Sequence, residues 1–129
     1  MAAILIVDDD PTIRAIATEF LRDGDHAIVE ACDGHEALRI LKAAPIDVMV
    51  LDMLMPGKDG LETIMESRQL HPGVRILAIS SGGSMDANYL LAIASTLGAD
   101  AVLSKPLTAA RFKRAVLDLL SSRGAPETD

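Results

Sequence analysis

Short hydrophobic runs recur along the chain and alternate with longer amphipathic segments. The runs over residues 2–7, 48–51 and 74–79 lack helical spacing and are bounded by polar residues. Such runs are typical of strands that are buried on both faces, as in a parallel sheet. Asp25 to Glu30 is more mixed and predicts an edge strand, while Ala101 to Leu103 predicts a short last strand.

The segments between these strands have the spacing of amphipathic helices. Asp10-Pro11 predicts the start of the first helix, because Asp is a good N-cap and Pro fits the first helical position. Its predicted apolar face comprises Ile13, Ile16, Ala17, Phe20 and Leu21. Asp33 and Thr108 are the predicted N-caps of the second and fifth helices, and Gly98 is predicted to end the fourth.

Strand and helix therefore alternate five times, which predicts a doubly wound parallel α/β sandwich. The 129 residues correspond to one domain with a sizeable core. Half of the residues are hydrophobic and only 2% are aromatic, so the predicted core is aliphatic. Residues 122–129 are predicted to form a polar tail after a domain over residues 2–121.

Composition and charge exclude several classes of protein. No apolar run approaches the roughly 18–20 residues of a bilayer span, and the first residues lack the basic region of a signal peptide. The lone Cys32 excludes an internal disulfide and a cysteine-based zinc site. The net charge of -7 disfavours a broad nucleic-acid surface. We therefore expect a soluble cytoplasmic protein without nucleic-acid or membrane partners.

Polar residues follow the predicted strands at the edge where ligands bind in such sheets. These residues are Asp8, Asp9, Asp10, Asp52, Ser80, Ser81 and Lys105. Two carboxylates about 4 Å apart repel by roughly 4 kcal/mol at an effective dielectric of about 20, so a cluster of them requires a cation. Oxygen ligands without His or Cys favour Mg²⁺. A carboxylate, a divalent metal, a lysine and a hydroxyl together suit in-line phosphoryl transfer to the carboxylate.

Several of these residues also have a simpler structural interpretation. Asp10 before Pro11 is an N-cap and is left out of the predicted metal site. Asp52 is also compatible with a turn before Met53, and Ser80 and Ser81 with hydrogen bonds to the backbone at a strand end. Which of the two serines faces the site is left open.

Four motifs in order resemble the receiver domain of two-component response regulators. They are Ile4 to Pro11, Val50 to Gly60, Ile79-Ser80, and Gly98 to Asp100 leading to Lys105-Pro106. The resemblance covers residues 2–121 and implies a flavodoxin-like (βα)5 sandwich with sheet order 2-1-3-4-5. It also implies a phosphorelay signalling protein whose activity is limited to self-catalysed phosphotransfer and slow autodephosphorylation.

The resemblance also implies a role for each site residue. The phosphoacceptor is Asp52, the switch hydroxyl is Ser80, the lysine that pairs with the phosphoryl group is Lys105, and the Mg²⁺ ligands are Asp8, Asp9, Asp52 and the backbone carbonyl of Leu54. The implied donor is a phosphohistidine on a sensor histidine kinase or a histidine phosphotransfer protein. With no effector domain after residue 121, we expect a stand-alone receiver, monomeric or weakly dimeric, that binds a downstream protein in trans.

Some positions depart from the family pattern. Val102 occupies a position where an aromatic residue often couples phosphorylation to the output face, and Leu107 one where Phe is common. The loop after Ser80 is glycine-rich and longer than typical. Leu54 and Gly82 carry no polar group to orient a water, which predicts a phosphorylated state that is not unusually short-lived.

Two other functions are compatible with parts of the sequence. Asp8 to Thr12 fits the D-x-D-x-T motif of haloacid-dehalogenase-type phosphatases, in which Asp8 would be the nucleophile and Asp10 the acid/base. That interpretation gives the segment from Asp52 to Gly60 no role. A degenerate receiver that only binds partners is disfavoured by the complete set of acids, hydroxyl and lysine.

Overall fold

The computed structural model of the protein describes residues 1–53, 60–80 and 85–123. Five strands and five helices alternate along the chain. They are β1 (Ala2–Val7), α1 (Pro11–Phe20), β2 (His26–Ala31), α2 (Gly34–Ala43), β3 (Val48–Asp52), α3 (Gly60–Leu70), β4 (Arg75–Ser80), α4 (Met85–Leu97), β5 (Ala101–Ser104) and α5 (Ala109–Arg123).

The strands form one parallel sheet in the order β2-β1-β3-β4-β5. This order confirms the predicted fold, including β2 as an edge strand. The strand predicted over residues 2–7 has the bounds of β1. β3 and β5 each extend one residue beyond their predicted ends, and β2 and β4 begin and end one residue later than predicted. Because all five strands run in the same direction, their carboxyl ends lie at the same edge of the sheet.

Two aliphatic clusters cover the two faces of the sheet. The first contains residues of α2, α3 and α4, such as Leu41, Ile64 and Ala94. The second contains residues of α1 and α5, and in it the ring of Phe20 lies 6.1 Å from that of Phe112. Alternate residues of the strands contribute to opposite clusters, as the pleat of a strand requires. The central strands are therefore buried on both faces.

The predicted helix ends are confirmed where the structure describes them. Asp10 caps α1 by accepting a hydrogen bond from the Thr12 N–H, over 2.9 Å. Asp33 caps α2, and the Thr108 hydroxyl accepts from the first turn of α5. Gly98 follows α4 with a φ of +129°, a conformation that favours glycine.

One residue of the predicted apolar face of α1 remains exposed. Ala17 and Leu21 are buried and Phe20 packs against the second cluster, but Ile16 is exposed. Ile16 lies at the edge of the apolar stripe, because the stripe is centred on residues 17 and 20. Among residues 1–53, 60–80 and 85–123, every helix falls short of the length and apolarity that a bilayer crossing requires.

Candidate functional site

Three carboxylates converge at the carboxyl edge of the sheet. Asp8 and Asp9 directly follow β1, and Asp52 is the last residue of β3. One carboxylate oxygen from each lies within 4.8 Å of the others. Asp8 and Asp52 are buried, whereas Asp9 is exposed. The structure thus brings together the three acids that the sequence predicts, from strands that are adjacent in the sheet.

The carboxylate of Asp8 is oriented by groups on either side of it. Its Oδ1 accepts a hydrogen bond from the Asp10 N–H over 2.9 Å, and its Oδ2 lies 3.7 Å from the Lys105 Nζ. Burial raises the pKa of Asp8 above its ordinary value, although the Asp10 hydrogen bond and the Lys105 charge oppose this shift. The nearby charges of Asp9 and Asp10 add to the increase in pKa.

Lys105 brings an ammonium group to the same place. Its Nζ lies 3.7 Å from the Oδ2 of Asp52, the same distance that separates it from Asp8. Its backbone N–H donates to the Ser80 carbonyl over 2.7 Å, which fixes the chain just after β5 against the end of β4. Lys105 therefore points into the site, as the sequence predicts.

Ser80 is buried at the end of β4, and strand alternation orients it differently from Asp52. Its hydroxyl has no hydrogen-bond partner among the described residues. Strand alternation places Ser80 on the sheet face of Ile76 and Ala78, which belong to the cluster of α2, α3 and α4. Asp52 instead follows the alternation of Val48 and Val50, which belong to the other cluster.

Some predicted site residues lie outside the described part of the chain. These are Leu54, whose carbonyl is a predicted metal ligand, and Ser81 and Gly82 of the loop after β4. Asp10 is described, and its carboxylate is used in capping α1. Within the described ranges it does not join the group of potential metal ligands.

Arg14 of α1 contacts the site but has no counterpart among the predicted site residues. Its Nη1 donates to the Asp8 carbonyl oxygen over 2.6 Å, and its Nε donates to Glu30 Oε1 over 2.9 Å. A cation near the start of a helix is disfavoured by the helix dipole. Arg14 lies in the first turns of α1, four residues after the last of three consecutive acids. A cation in this unfavourable position is the feature of the sequence that indicates a role for Arg14 near these acids.

The arrangement is suited to holding a hard cation. One ammonium group faces three carboxylates, so the site keeps an excess of negative charge. Its donors are oxygen atoms, which Mg²⁺ and similar ions prefer over nitrogen or sulfur. Asp8, Asp9 and Asp52 therefore form an acidic pocket that is able to bind a metal ion. A carboxylate beside an ammonium and a metal site is also a suitable nucleophile for phosphoryl transfer.

Comparison with known proteins identifies relatives of the chain. Transcriptional regulatory protein CpxR of Escherichia coli (strain K12) is 35% identical over 106 residues, which are 82% of this chain and 44% of that protein. Transcriptional regulatory protein MalR of Bacillus subtilis (strain 168) is 36% identical over 122 residues, covering 92% of this chain and 50% of that protein. The chain spans half or less of the length of these two curated relatives.

A solved structure gives the same result for the fold. The chemotaxis protein CheY4 of Vibrio cholerae superposes with a TM-score of 0.81 at 27% identity, over 92% of this chain and 98% of that one. The family described as response regulator receiver domain matches residues 4–117, a range that includes Asp8, Asp52 and Lys105. Receiver domains are phosphoacceptors of two-component signalling and are phosphorylated by histidine kinases. The chain therefore belongs to the response regulator receiver domain family.

Proposed function

We propose that Asp52 accepts a phosphoryl group from a phosphohistidine on a sensor histidine kinase or a histidine phosphotransfer protein. The observation that supports this role most directly is the placement of its buried carboxylate. Asp52 shares one pocket with Asp8 and Asp9, and its Oδ2 lies 3.7 Å from the Lys105 ammonium. Membership of the receiver family supports the same assignment.

In the proposed reaction, a carboxylate oxygen of Asp52 attacks the phosphorus atom of the donor. An O–P bond forms, the P–N bond to the donor histidine breaks, and its electron pair returns to the imidazole nitrogen. The product is an acyl phosphate on Asp52. Lys105 is close enough to move onto a phosphoryl oxygen and offset its charge. Each molecule is modified once, so the domain acts as a switch rather than as an enzyme with turnover.

The metal expected in this pocket is Mg²⁺. Asp8, Asp9, Asp52 and the carbonyl of Leu54 would hold it, and the three carboxylates fit its preference for oxygen ligands. When bound, the ion supplies charge neutralisation for the phosphoryl oxygens and for the clustered acids. The raised pKa of Asp8 supports this need for a cation, because its carboxylate is poorly solvated without one.

Ser80 is the proposed switch residue. Its buried hydroxyl lacks a partner among the described residues, so a phosphoryl oxygen would give it one. Movement of this side chain toward Asp52 would alter the surface of α4, β5 and α5 and the affinity for a protein partner. Val102 on β5 is exposed and has no ring to rotate inward, so the coupling must use other groups.

We further propose the extent of the domain and its setting in the cell. It comprises residues 2–121 with a polar tail over 122–129; the family match covers 4–117 and α5 ends at Arg123. We place it in the cytoplasm as a monomer or weak homodimer, without nucleic-acid or membrane partners. The phosphatase alternative is disfavoured because the Asp10 carboxylate, which would act as its acid/base, caps α1.

The test is incubation with acetyl phosphate and Mg²⁺, followed by intact-mass analysis. We expect one phosphoryl adduct on the wild type and none on Asp52→Asn. Asp10→Asn is the matched control, because Asn preserves the cap of α1 and leaves the proposed nucleophile intact. It should be phosphorylated like the wild type. After removal of acetyl phosphate, the adduct should persist for longer than seconds.

Two results would contradict the proposal. An adduct that persists in Asp52→Asn would show that another residue accepts the phosphoryl group. Continuous release of phosphate that Asp10→Asn abolishes would favour the phosphatase.

A further inference from the structure

Arg14 connects the loop that carries the acids to strand β2. It donates from Nη1 to the Asp8 carbonyl over 2.6 Å and from Nε to the Glu30 carboxylate over 2.9 Å. Its side chain is only 17% exposed. The other arginine–glutamate pair of this region, Arg22 with Glu19, differs because those side chains are 76% and 66% exposed. Arg14 is therefore held in one place at two points, partly shielded from water.

We infer that Arg14 is a positioning residue, which fixes the peptide between Asp8 and Asp9 and thereby sets the affinity of the acidic pocket for a divalent cation. This inference rests on the proposed function, because it takes the pocket to be a magnesium site. Glu30 contributes by orienting the guanidinium of Arg14.

The backbone geometry explains why this peptide needs a restraint. β1 ends at Val7, and the Asp8 N–H is the next group bonded to β2, over 3.1 Å to the Ala31 carbonyl. The Asp8 carbonyl and the Asp9 N–H belong to one planar peptide unit. A rotation of that unit displaces the Asp9 side chain relative to Asp8. Asp9 is exposed, so packing contributes little to its position. The Asp10 N–H bond to Asp8 Oδ1 restrains the chain on the far side of Asp9, and the bond from Arg14 holds the carbonyl of the Asp8–Asp9 peptide directly.

The direction from which Arg14 approaches also matters. The guanidinium contacts the backbone oxygen of Asp8 and leaves the carboxylates of Asp8 and Asp9 available to a metal. It is permanently charged, so its Coulomb effect alone repels a divalent cation from the pocket. Removal of Arg14 should therefore weaken Mg²⁺ binding if Arg14 acts by positioning, and strengthen it if Arg14 acts only through its charge. The direction of the change in the dissociation constant distinguishes the two roles.

The experiment measures the dissociation constant of Mg²⁺ alone by isothermal titration calorimetry, on the full chain. Arg14→Met removes both hydrogen bonds and keeps an unbranched side chain. Positioning predicts about tenfold weaker Mg²⁺ binding, the size of effect that partners of metal ligands typically have. Loss of charge alone would make binding tighter. Arg22→Met is the matched control, since it removes an exposed arginine–glutamate pair at the carboxyl end of α1, and it should leave the dissociation constant unchanged.

Arg14→Lys provides a second variant that keeps the charge and perturbs the fold less. A lysine cannot bond the Asp8 carbonyl and Glu30 with the planar fork of arginine, so positioning predicts weaker Mg²⁺ binding here too. Urea unfolding in EDTA, run in parallel, measures the structural contribution of Arg14 separately. A lower stability in EDTA with an unchanged dissociation constant in Arg14→Lys would overturn the inference, even if Arg14→Met does not fold.

Failure of this inference and failure of the proposed function give different results. If the wild type binds Mg²⁺ and is phosphorylated on Asp52, but Arg14→Met binds Mg²⁺ equally well or more tightly, the positioning role alone is wrong. If the wild type binds Mg²⁺ but forms no adduct on Asp52, the proposed function fails and the positioning role is still decided by the binding data. If the wild type binds no Mg²⁺, both are wrong.

Discussion

At the scale of single residues, the site gathers carboxylates that repel one another in the absence of a cation. Asp8 is the clearest case, because it is buried beside two further acids and its pKa is raised mainly by that burial. Its hydrogen bond from Asp10 and its ion pair with Lys105 offset only part of the free energy that burial of the charged carboxylate requires. A residue kept under such conditions is expected to serve function rather than stability.

The raised pKa of Asp8 predicts that the stability of the metal-free protein depends on pH. The folded state binds the Asp8 proton more tightly than the unfolded state does, because the folded pKa lies above the ordinary value of 3.8. The contribution of Asp8 to the free energy of unfolding is therefore greatest below pH 3.8 and is lost as the pH rises through the folded pKa. Asp8→Asn has no proton to lose and keeps an oxygen for the Asp10 N–H.

The measurement is urea unfolding of wild type and Asp8→Asn in EDTA over a series of pH values. The difference in the free energy of unfolding should shift in favour of the variant as the pH rises. A difference that stays constant with pH, or shifts in favour of the wild type, would contradict the raised pKa.

At the scale of elements, the carboxyl end of α4 is held by an arginine of the neighbouring helix. Arg68 of α3 donates to the Gly98 carbonyl over 2.8 Å and to the Asp100 carboxylate over 2.6 Å. It also donates to the carbonyls of Pro72 and Val74, and Asp100 accepts from the N–H of Ile76. One guanidinium thus connects α3, the end of α4 and the start of β4.

Gly98 is central to this connection, and its replacement is predicted to be costly. Its φ of +129° disfavours any residue with a Cβ, and an added Cβ would lie 3.1 Å from Arg68 Cγ. Gly98→Ala should lower the free energy of unfolding by about 1–2 kcal/mol, measured by urea denaturation. Gly73→Ala is the control, because a Cβ there meets nothing within 4 Å. Equal stability of the two variants would be inconsistent with this geometry.

At the scale of the whole molecule, the sheet separates two cores that share its strands. α2, α3 and α4 cover one face and α1 and α5 the other. Ile64 and Phe112 are both fully buried but lie on opposite faces, whereas Phe20 and Phe112 are in ring contact on the same face. Substitutions on opposite faces should therefore be independent of each other.

Double-mutant cycles test this separation. Ile64→Val and Phe112→Leu should each cost about 1–2 kcal/mol, and together they should be additive within about 0.5 kcal/mol. Phe20→Leu with Phe112→Leu is the same-face comparison and should show a coupling of about 0.5–1.5 kcal/mol. Urea denaturation gives all of these values. A larger coupling across the sheet than within one face would contradict the separation into two cores.

The sequence predicts the parts of this molecule that depend on local pattern. The strands are continuous apolar runs, Asp10 and Gly98 are caps with clear residue preferences, and the acids follow the strands directly. The spacing predicts Ile16 on the apolar face of α1, yet Ile16 is exposed, because spacing alone does not show where the centre of an apolar stripe lies. The contacts of Arg14 and Arg68 are not predictable from the sequence, because many of their partners are backbone carbonyls, which every residue carries and which long-range folding brings into reach.

The edge of the sheet that carries Asp8, Asp52 and Lys105 adjoins both aliphatic clusters. Leu51, next to Asp52, packs under α2, α3 and α4, while Leu103, two residues before Lys105, packs under α1 and α5. An added negative charge at that edge would lie close to Leu51, which packs against one layer of helices, and to Leu103, which packs against the other. A change of charge at this one edge therefore reaches the packing on both faces of the sheet through residues that closely neighbour it in the chain.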